Sequence, residues 1–276
     1  MTMKKALSAV MTGILLLTGC AQTPPAPALT EITQVSENKY TCMYEGQKYE
    51  YILDLPAQTG GAPLILMLHG YGDTAGGFRT GTAFHQSANP AGCAVVYASG
   101  GVGWNAEDAV FLETLVRQLQ AEYGLDAARI FAAGFSNGAF MAHRLAAEHA
   151  DTFSACISVC GTMEQSVWEG RSDPAPVSFF QITGGADAVV PKHSDGSAEH
   201  AKDPAIEDVM DSYVQAAGLT LTETAAAGRD GVLKKYGSEK VKTQVWDLYL
   251  PAGTHGWRCG GIDTADLILQ FLETQK

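Results

Sequence analysis

Residues 134–138 read GFSNG and separate an apolar run, RIFAA (129–133), from an amphipathic run, AFMAHRLAAEH (139–149). An apolar run followed directly by an amphipathic one predicts a strand that turns into a helix. At so tight a turn Ser136 would take a strained backbone conformation, and glycine neighbours would let strand, helix and any bound molecule approach closely. The alternative interpretation is a glycine-rich turn with an incidental serine, so the rest of the chain must discriminate between the two.

The chain before this turn contains strand and helix patterns. APLILMLHG (62–70) and CAVVYASG (93–100) are continuous apolar runs, typical of strands buried on both faces of a parallel sheet. NAEDAVFLETLVRQLQAEYG (105–124) has apolar residues at helical spacing, acids in its first turn and a glycine at its end. KYTCMYEGQKYEYILDLP (39–56) alternates polar and apolar residues about a Glu-Gly turn, which predicts an antiparallel hairpin.

The same alternation continues after the turn. We predict strands in FSACISVCG (153–161), VSFFQITG (177–184) and VKTQVWDLYLP (241–251), and helices in IEDVMDSYVQAAG (206–218) and DTADLILQFLET (263–274) with Asp263 as N-cap. Two stretches rich in Pro, Gly, Ser and Asp, about 163–176 and 191–204, are predicted loops. The chain shows no internal repeat. This order of elements predicts a three-layer α/β sandwich with a mostly parallel central sheet and an antiparallel N-terminal hairpin.

The first twenty residues have the pattern of an export signal. Two lysines precede an apolar stretch (6–18) that is too short to span a bilayer, and LTGC (17–20) follows. This ending resembles the lipobox of bacterial lipoproteins, in which Cys20 would be lipidated; an ordinary signal peptide with a chance cysteine is the alternative. We expect an extracytoplasmic, lipid-anchored protein at the cell surface or in the periplasm. Its expected parts are a signal peptide (1–19), a tether rich in Pro, Ala and Thr (20–37) and one folded domain (38–276).

Composition and charge limit the class of protein. With 46% hydrophobic and 17% charged residues over 276 positions, the chain can bury a substantial core. The formal net charge of −12 makes nucleic acid and anionic lipid surfaces poor partners. No cysteine or histidine spacing indicates a metal site, and no cofactor is predicted.

Five cysteines follow Cys20, and an odd number cannot all pair. Cys156 and Cys160 share one strand pattern and would lie about 13 Å apart, beyond disulfide reach. A bond between Cys160 and Cys259 is conceivable, and buried thiols are an equally good interpretation. The sequence leaves open the pairing among Cys42, Cys93, Cys156, Cys160 and Cys259.

Functional residues are expected just after the apolar runs, because ligands of parallel sheets lie beyond the carboxyl ends of the strands. Four such loops contain polar or glycine-rich sequence: HGYGD (69–73), the turn at Ser136, GGAD (184–187) and AGTHGW (252–257). A serine hydroxyl needs a base to take its proton, and the base needs a buried acid to set its tautomer.

We predict Ser136 as nucleophile, Asp187 as acid and His255 as base, in the chain order that one large class of hydrolases uses. His255 lies in a glycine-rich loop directly after a strand pattern; a surface loop histidine is the alternative. The rival residues lack an immediately preceding strand pattern. They are the histidines His193 and His200 and the acids Asp195 and Asp203.

Acyl transfer also needs hydrogen-bond donors for the developing oxyanion. The amide of Asn137, directly after the nucleophile, is the first candidate, and the amide of Tyr71 in the glycine-rich HGYG loop is the second. His69 precedes the serine and is interpreted as a structural histidine that shapes this loop and borders the substrate site.

Together these motifs resemble the α/β-hydrolase superfamily, and within it the polyhydroxybutyrate depolymerase-like and feruloyl esterase-like proteins of carbohydrate esterase family 1. The resemblance runs from about Tyr51 to Phe271. This chain departs from the family pattern at Ala139, where relatives often have glycine, and at 101–105, where relatives tend to carry a longer loop. The resemblance rests on LHGYGDTAGGF (68–78), AEDAVFLETLV (106–116), AAGFSNGAFMAHRLAAEHADTFSA (132–155), GGADAVVP (184–191) and GTHGW (253–257).

The resemblance implies a serine esterase that works through an acyl-enzyme, without metal or organic cofactor. It suggests feruloyl or acetyl esters of plant polysaccharide, or related aryl esters, as substrates. Trp104 and Trp257 could form a stacking wall for a sugar or phenolic ring, and core or rim packing is the alternative. Other functions that the sequence leaves open are a polyester depolymerase, a serine peptidase of the same fold and a non-catalytic polysaccharide-binding lipoprotein.

Overall fold

The computed structural model describes residues 28–171, 177–190 and 202–276. The predicted signal peptide, Cys20 and most of the predicted tether lie outside these residues, as do His193, Asp195 and His200. Of the helices in the described part of the chain, none has the length and apolar character needed to cross a bilayer.

The described residues form one sheet, with helices on both faces. The strands are β1 (Thr30–Gln34), β2 (Lys39–Tyr44), β3 (Gln47–Asp54), β4 (Leu64–Leu68), β5 (Ala94–Ser99), β6 (Ile130–Phe135), β7 (Ala155–Val159), β8 (Ser178–Gly184), β9 (Thr220–Ala227), β10 (Gly231–Gly237) and β11 (Val245–Leu250). The helices are α1 (Ala75–Thr82), α2 (His85–Ala88), α3 (Asp108–Tyr123), α4 (Asn137–Glu148), α5 (Gln165–Gly170), α6 (Ile206–Ala216) and α7 (Thr264–Glu273), with a 3-10 turn at Cys259–Gly261.

The strand order confirms the predicted fold class. It runs β1-β2-β3-β5-β4-β6-β7-β8-β11-β10-β9. The six strands from β5 to β11 in this order are mutually parallel, and antiparallel strands flank them on both sides. The carboxyl ends of the parallel strands therefore share one edge, where such sheets bind their ligands.

The sequence of the central strand β4 is one unbroken apolar run because both faces of the strand are covered. Leu64, Leu66 and Leu68 pack into one hydrophobic cluster, beneath α3, α4 and α6. Ile65 and Met67 pack into the opposite cluster, beneath α1 and α7. Because successive side chains of a strand point to opposite faces and both faces are covered, every position must be apolar.

Three regions differ from the sequence expectation. Thr30–Gln34 fall in the predicted tether but form β1, paired with β2, so the folded domain begins before Asn38. β9 and β10 form an unpredicted hairpin that extends the sheet beyond β11. Helix α5 lies within the stretch 163–176 that was predicted as a loop. The residues of β1 are all exposed and those of β9 mostly so, which means that backbone pairing rather than burial holds these strands.

Candidate active site

Ser136 lies at the junction of β6 and α4 with φ 52° and ψ −119°. A positive φ is unfavourable for a residue with a side chain, so the surroundings must hold it. The Ser136 amide donates to the Val159 carbonyl of β7 at 3.0 Å, and the Ser136 carbonyl accepts from the Ala139 amide at 2.8 Å. The predicted tight turn with a strained serine is therefore present.

The two glycines of the GFSNG turn serve close backbone approach. A Cβ on Gly134 would lie 2.0 Å from the Gly138 carbonyl oxygen, and one on Gly138 would lie 2.2 Å from the Leu68 carbonyl oxygen. Neither obstacle is a flexible side chain, so a larger residue would force β4, β6 and α4 apart. Glycine at both positions keeps the serine against the end of the sheet.

Ser136, His255 and Asp187 meet at the carboxyl edge of the sheet. His255 Nε2 lies 2.9 Å from Ser136 Oγ, and His255 Nδ1 lies 2.8 Å from Asp187 Oδ2. The loop after β8 carries the acid and the loop after β11 carries the histidine. This is the arrangement in which a histidine can remove the serine proton while a carboxylate holds its tautomer.

Asp187 is buried, and its second carboxylate oxygen is also hydrogen-bonded. Its Oδ1 accepts hydrogen bonds from the amides of Val189 at 2.8 Å and Val190 at 2.9 Å. Burial raises the pKa of Asp187, but the hydrogen bonds from His255 and these two amides outweigh it and bring the pKa below its usual value. The group facing His255 is therefore a carboxylate near neutral pH.

The acid and histidine loops are joined to each other by their backbones. The Gly185 amide donates to the Leu250 carbonyl at 2.8 Å, and the Ala186 amide donates to the Gly253 carbonyl at 2.9 Å. A Cβ on Gly184 would lie 2.5 Å from the Gly253 carbonyl oxygen, so glycine is required for this contact. These bonds set the separation of Asp187 and His255 before any substrate is present.

The two segments predicted to supply oxyanion donors border Ser136. A Cβ on Gly70 would lie 3.4 Å from Ser136 Cβ, which places the loop containing Tyr71 beside the nucleophile. Asn137 is the first residue of α4, where backbone amides have no partner within the helix. Tyr71 itself is 76% exposed.

Three residues predicted to touch substrate are buried instead. Trp104 is 6% exposed, Trp257 is 9% exposed and His69 is fully buried. Trp257 packs edge-on against Phe78 and Phe84 at centroid distances of 5.4 and 6.5 Å. The prediction that these tryptophans form a stacking wall is wrong, because neighbours distant in the chain cover their rings, and His69 likewise has no surface to offer a substrate.

A cavity of about 310 Å³ opens beside the nucleophile. Most of its wall was not predicted from the sequence, although Val189 and Val190 lie only two and three residues after the predicted acid Asp187. Asp203, a rival for the acid, contributes to this wall and accepts from the Gln165 amide at 2.9 Å at the start of α5, whereas His255 Nδ1 bonds to Asp187. The lining residues are Ser136, Asn137, Phe140, Glu164, Val189, Val190 and Asp203.

All five cysteines of the described residues are free, buried thiols. The Cys160 thiol lies 3.8 Å from the Thr254 carbonyl and 3.6 Å from the Gly256 carbonyl, on either side of His255. Its hydrogen bond with Cys259, together with burial, raises its pKa, so it is a neutral thiol.

Cys160, Asp187 and His255 could be considered as metal ligands, because one donor atom from each lies within 4.8 Å of the others. The acid and the histidine are already hydrogen-bonded to each other, however, and a neutral thiol is a poor ligand. The geometry fits acid–base chemistry better than metal binding.

Comparison with known sequences finds esterases. The chain is 32% identical over 201 residues to a putative esterase, NocK, from Nocardia uniformis subsp. tsuyamanensis, which covers 61% of this chain and 58% of the relative. It is 34% identical over 116 residues to a probable feruloyl esterase C from Aspergillus niger, covering 40% of this chain and 41% of the relative. The chain thus spans about half the length of these relatives. No family model matches it.

Comparison with solved structures supports the fold. An acetyl xylan esterase from Aspergillus awamori superposes with a TM-score of 0.62 at 14% identity, covering 82% of this chain and 94% of that one. An alpha-beta serine hydrolase homologue from Coxiella burnetii gives a TM-score of 0.55 at 15% identity, covering 86% and 98%. At such low identity these similarities establish the arrangement of strands and helices only.

Proposed function

We propose that this chain, an esterase-like α/β-hydrolase, cleaves carboxylic esters through an acyl-enzyme on Ser136. The observation that supports this most directly is the hydrogen-bonded series from Asp187 through His255 to the serine hydroxyl. Such a series converts a weakly nucleophilic alcohol into a reactive one, and the strained turn presents that alcohol at the sheet edge.

In the proposed reaction, Ser136 Oγ attacks the ester carbonyl while His255 Nε2 takes its proton. The amides of Asn137 and Tyr71 stabilise the oxyanion of the tetrahedral intermediate. His255 then passes the proton to the leaving alcohol, and a water molecule, deprotonated by the same histidine, releases the acid. Asp187 keeps the other ring nitrogen protonated and stabilises the imidazolium in both steps.

For substrates we propose feruloyl or acetyl esters of plant polysaccharide, or related aryl esters. The names of the sequence relatives support this class. The cavity beside Ser136 also supports it, because Phe140, Val189 and Val190 offer apolar contact while Glu164 and Asp203 can accept hydrogen bonds from hydroxyl groups.

A fluorophosphonate probe tests the proposed function. We expect the wild type, but not Ser136→Ala, to be labelled and to hydrolyse methyl ferulate, acetylated xylan or p-nitrophenyl esters, in a panel that also contains polyhydroxybutyrate and a peptide. Absence of both labelling and turnover in the wild type would exclude a serine hydrolase and favour a binding protein. Turnover of polyhydroxybutyrate alone, or of peptides rather than esters, would contradict the proposed substrate class.

We further propose that a lipid on Cys20 holds the enzyme at a bacterial membrane, outside the cytoplasm. The LTGC pattern after a short apolar stretch supports this. In a bacterial host that processes lipoproteins, the full chain should partition into the Triton X-114 detergent phase, and Cys20→Ala should shift it to the aqueous phase. Equal partitioning of the two proteins would contradict the anchor.

A further inference from the structure

We propose that residues 100–104 (GGVGW), termed here the clamp segment, position the two oxyanion donors, and that Trp104 is the positioning residue at its centre. This inference rests on the proposed function. The donors come from different parts of the chain, the Tyr71 amide from the loop after β4 and the Asn137 amide from the start of α4. Oxyanion stabilisation requires both amides to point at one position. The loop with Tyr71 and the start of α4 must therefore be held in a fixed arrangement relative to each other.

The clamp segment bonds to the backbone on both sides of Tyr71. The Trp104 indole Nε1 donates to the His69 carbonyl at 2.9 Å. The Gly72 amide donates to the Val102 carbonyl at 2.6 Å. Tyr71 lies between these two contacts, two residues after His69 and one before Gly72, which leaves its amide little freedom to rotate.

The same segment bonds to the residue that carries the second donor. The Trp104 backbone amide donates to Asn137 Oδ1 at 2.6 Å. The Asn137 side chain therefore faces the clamp segment, so this residue can act through both its amide and its side chain. One tryptophan thus contacts both segments, through its indole and through its backbone.

Close packing reinforces these bonds. A Cβ on Gly103 would lie 2.8 Å from the Tyr71 ring and 2.9 Å from Asn137 Oδ1, so glycine lets the clamp segment lie against both segments without displacing these side chains. The Trp104 ring packs on the His69 ring at 4.8 Å, and a Cβ on Gly100 would lie 2.4 Å from the indole. This packing gives buried His69 and Trp104 a role that does not require contact with substrate.

The test compares Trp104→Phe, which removes the indole donor but keeps an aromatic ring, with Asn137→Ala, which removes the side-chain acceptor but keeps the amide. Trp246→Phe is the matched control, because Trp246 of β11 is 4% exposed and its Nε1 donates to Gln244 Oε1 at 3.1 Å. Each variant is assayed for kcat and KM on p-nitrophenyl acetate and for inhibition by an aryl trifluoromethyl ketone, whose tetrahedral adduct places an oxyanion between the donors.

For both test variants we expect kcat to fall about 10- to 100-fold, with KM within about twofold of wild type, because small displacements of catalytic groups have effects of this size. The inhibition constant of the ketone should rise by the same factor as kcat falls, whereas Trp246→Phe should match wild type. A merely structural role would not couple these two quantities. If Trp104→Phe does not fold, Asn137→Ala alone provides the test.

Unchanged kcat and unchanged ketone inhibition in the folded test variants would overturn the clamp while leaving the proposed function intact. A rise in KM with unchanged kcat would also overturn it, since that pattern indicates lost ground-state binding. A wild type without esterase activity would instead overturn the proposed function, and the clamp with it.

Discussion

Asp187→Asn is expected to lower kcat by about four orders of magnitude, because the asparagine would hold His255 in the wrong tautomer. Asp187 Oδ1 accepts from the amides of Val189 and Val190, so an amide side chain would place its oxygen there. Its NH₂ group would then face His255 Nδ1 and donate to it. That leaves the proton on Nε2, the nitrogen that has to accept the proton of Ser136.

The measurement is kcat on a p-nitrophenyl ester together with a thermal melt. Asp263→Asn is the matched control, since Asp263 caps α7 by accepting from the amides of Ala265 and Asp266, and asparagine caps equally well. The control should keep wild-type activity. Activity of Asp187→Asn within tenfold of wild type would mean that another group orients the histidine.

Lowering the pH from 7 to 4 should reduce the free energy of unfolding by about 3 kcal/mol through His143 alone. His143 lies on α4 and is buried, with Nδ1 3.2 Å from the Tyr213 hydroxyl and Nε2 3.2 Å from Gln181 Oε1. Burial lowers its pKa from 6.5 to about 3, with a smaller opposing effect of the bond to Gln181. At pH 4, therefore, His143 stays neutral in the folded protein, whereas the same histidine binds a proton in the unfolded chain.

The direction in which the free energy of unfolding changes with pH follows from that difference in proton uptake. Between pH 6.5 and about 3 the unfolded state binds the extra proton, so stability falls as the pH falls and is fully retained above 6.5. Urea denaturation at pH 7 and pH 4 measures the loss in wild type and in His143→Gln, which can donate and accept without titrating. A smaller loss in the variant is expected. Equal losses in the two proteins would show that His143 is not the group responsible.

Much of the fold was predictable because it depends on local periodicity. The unbroken apolar run of β4 indicated a strand covered on both faces, and the Glu-Gly turn indicated the hairpin of β2 and β3. The helix ending at Gly124 does so in the left-handed conformation that its glycine suggested. The strands β1 and β9 were missed, since neither buries a face and neither therefore carries a hydrophobic pattern. The strand β10 was also missed, although its first four residues alternate between buried and exposed.

The candidate site was predictable to the extent that it depends on chain order. Glycines around Ser136, and an acid and a histidine each placed after a strand, define which loops meet once the sheet is parallel. The structure brings these three side chains together at hydrogen-bond distances. Their roles in catalysis stay predictions until the variants are measured.

The sequence by itself determined the sheet with its parallel centre and the loops that meet at its carboxyl edge, because side-chain periodicity and strand order are properties of the chain. Only the tertiary structure decided that Trp104 and Trp257 are buried, that Val189 and Glu164 line the cavity, and that residues 100–104 join the two predicted oxyanion segments. The burial of a ring and the partner of an amide depend on residues far away in the chain. Those neighbours therefore cannot be identified from the local pattern of the sequence.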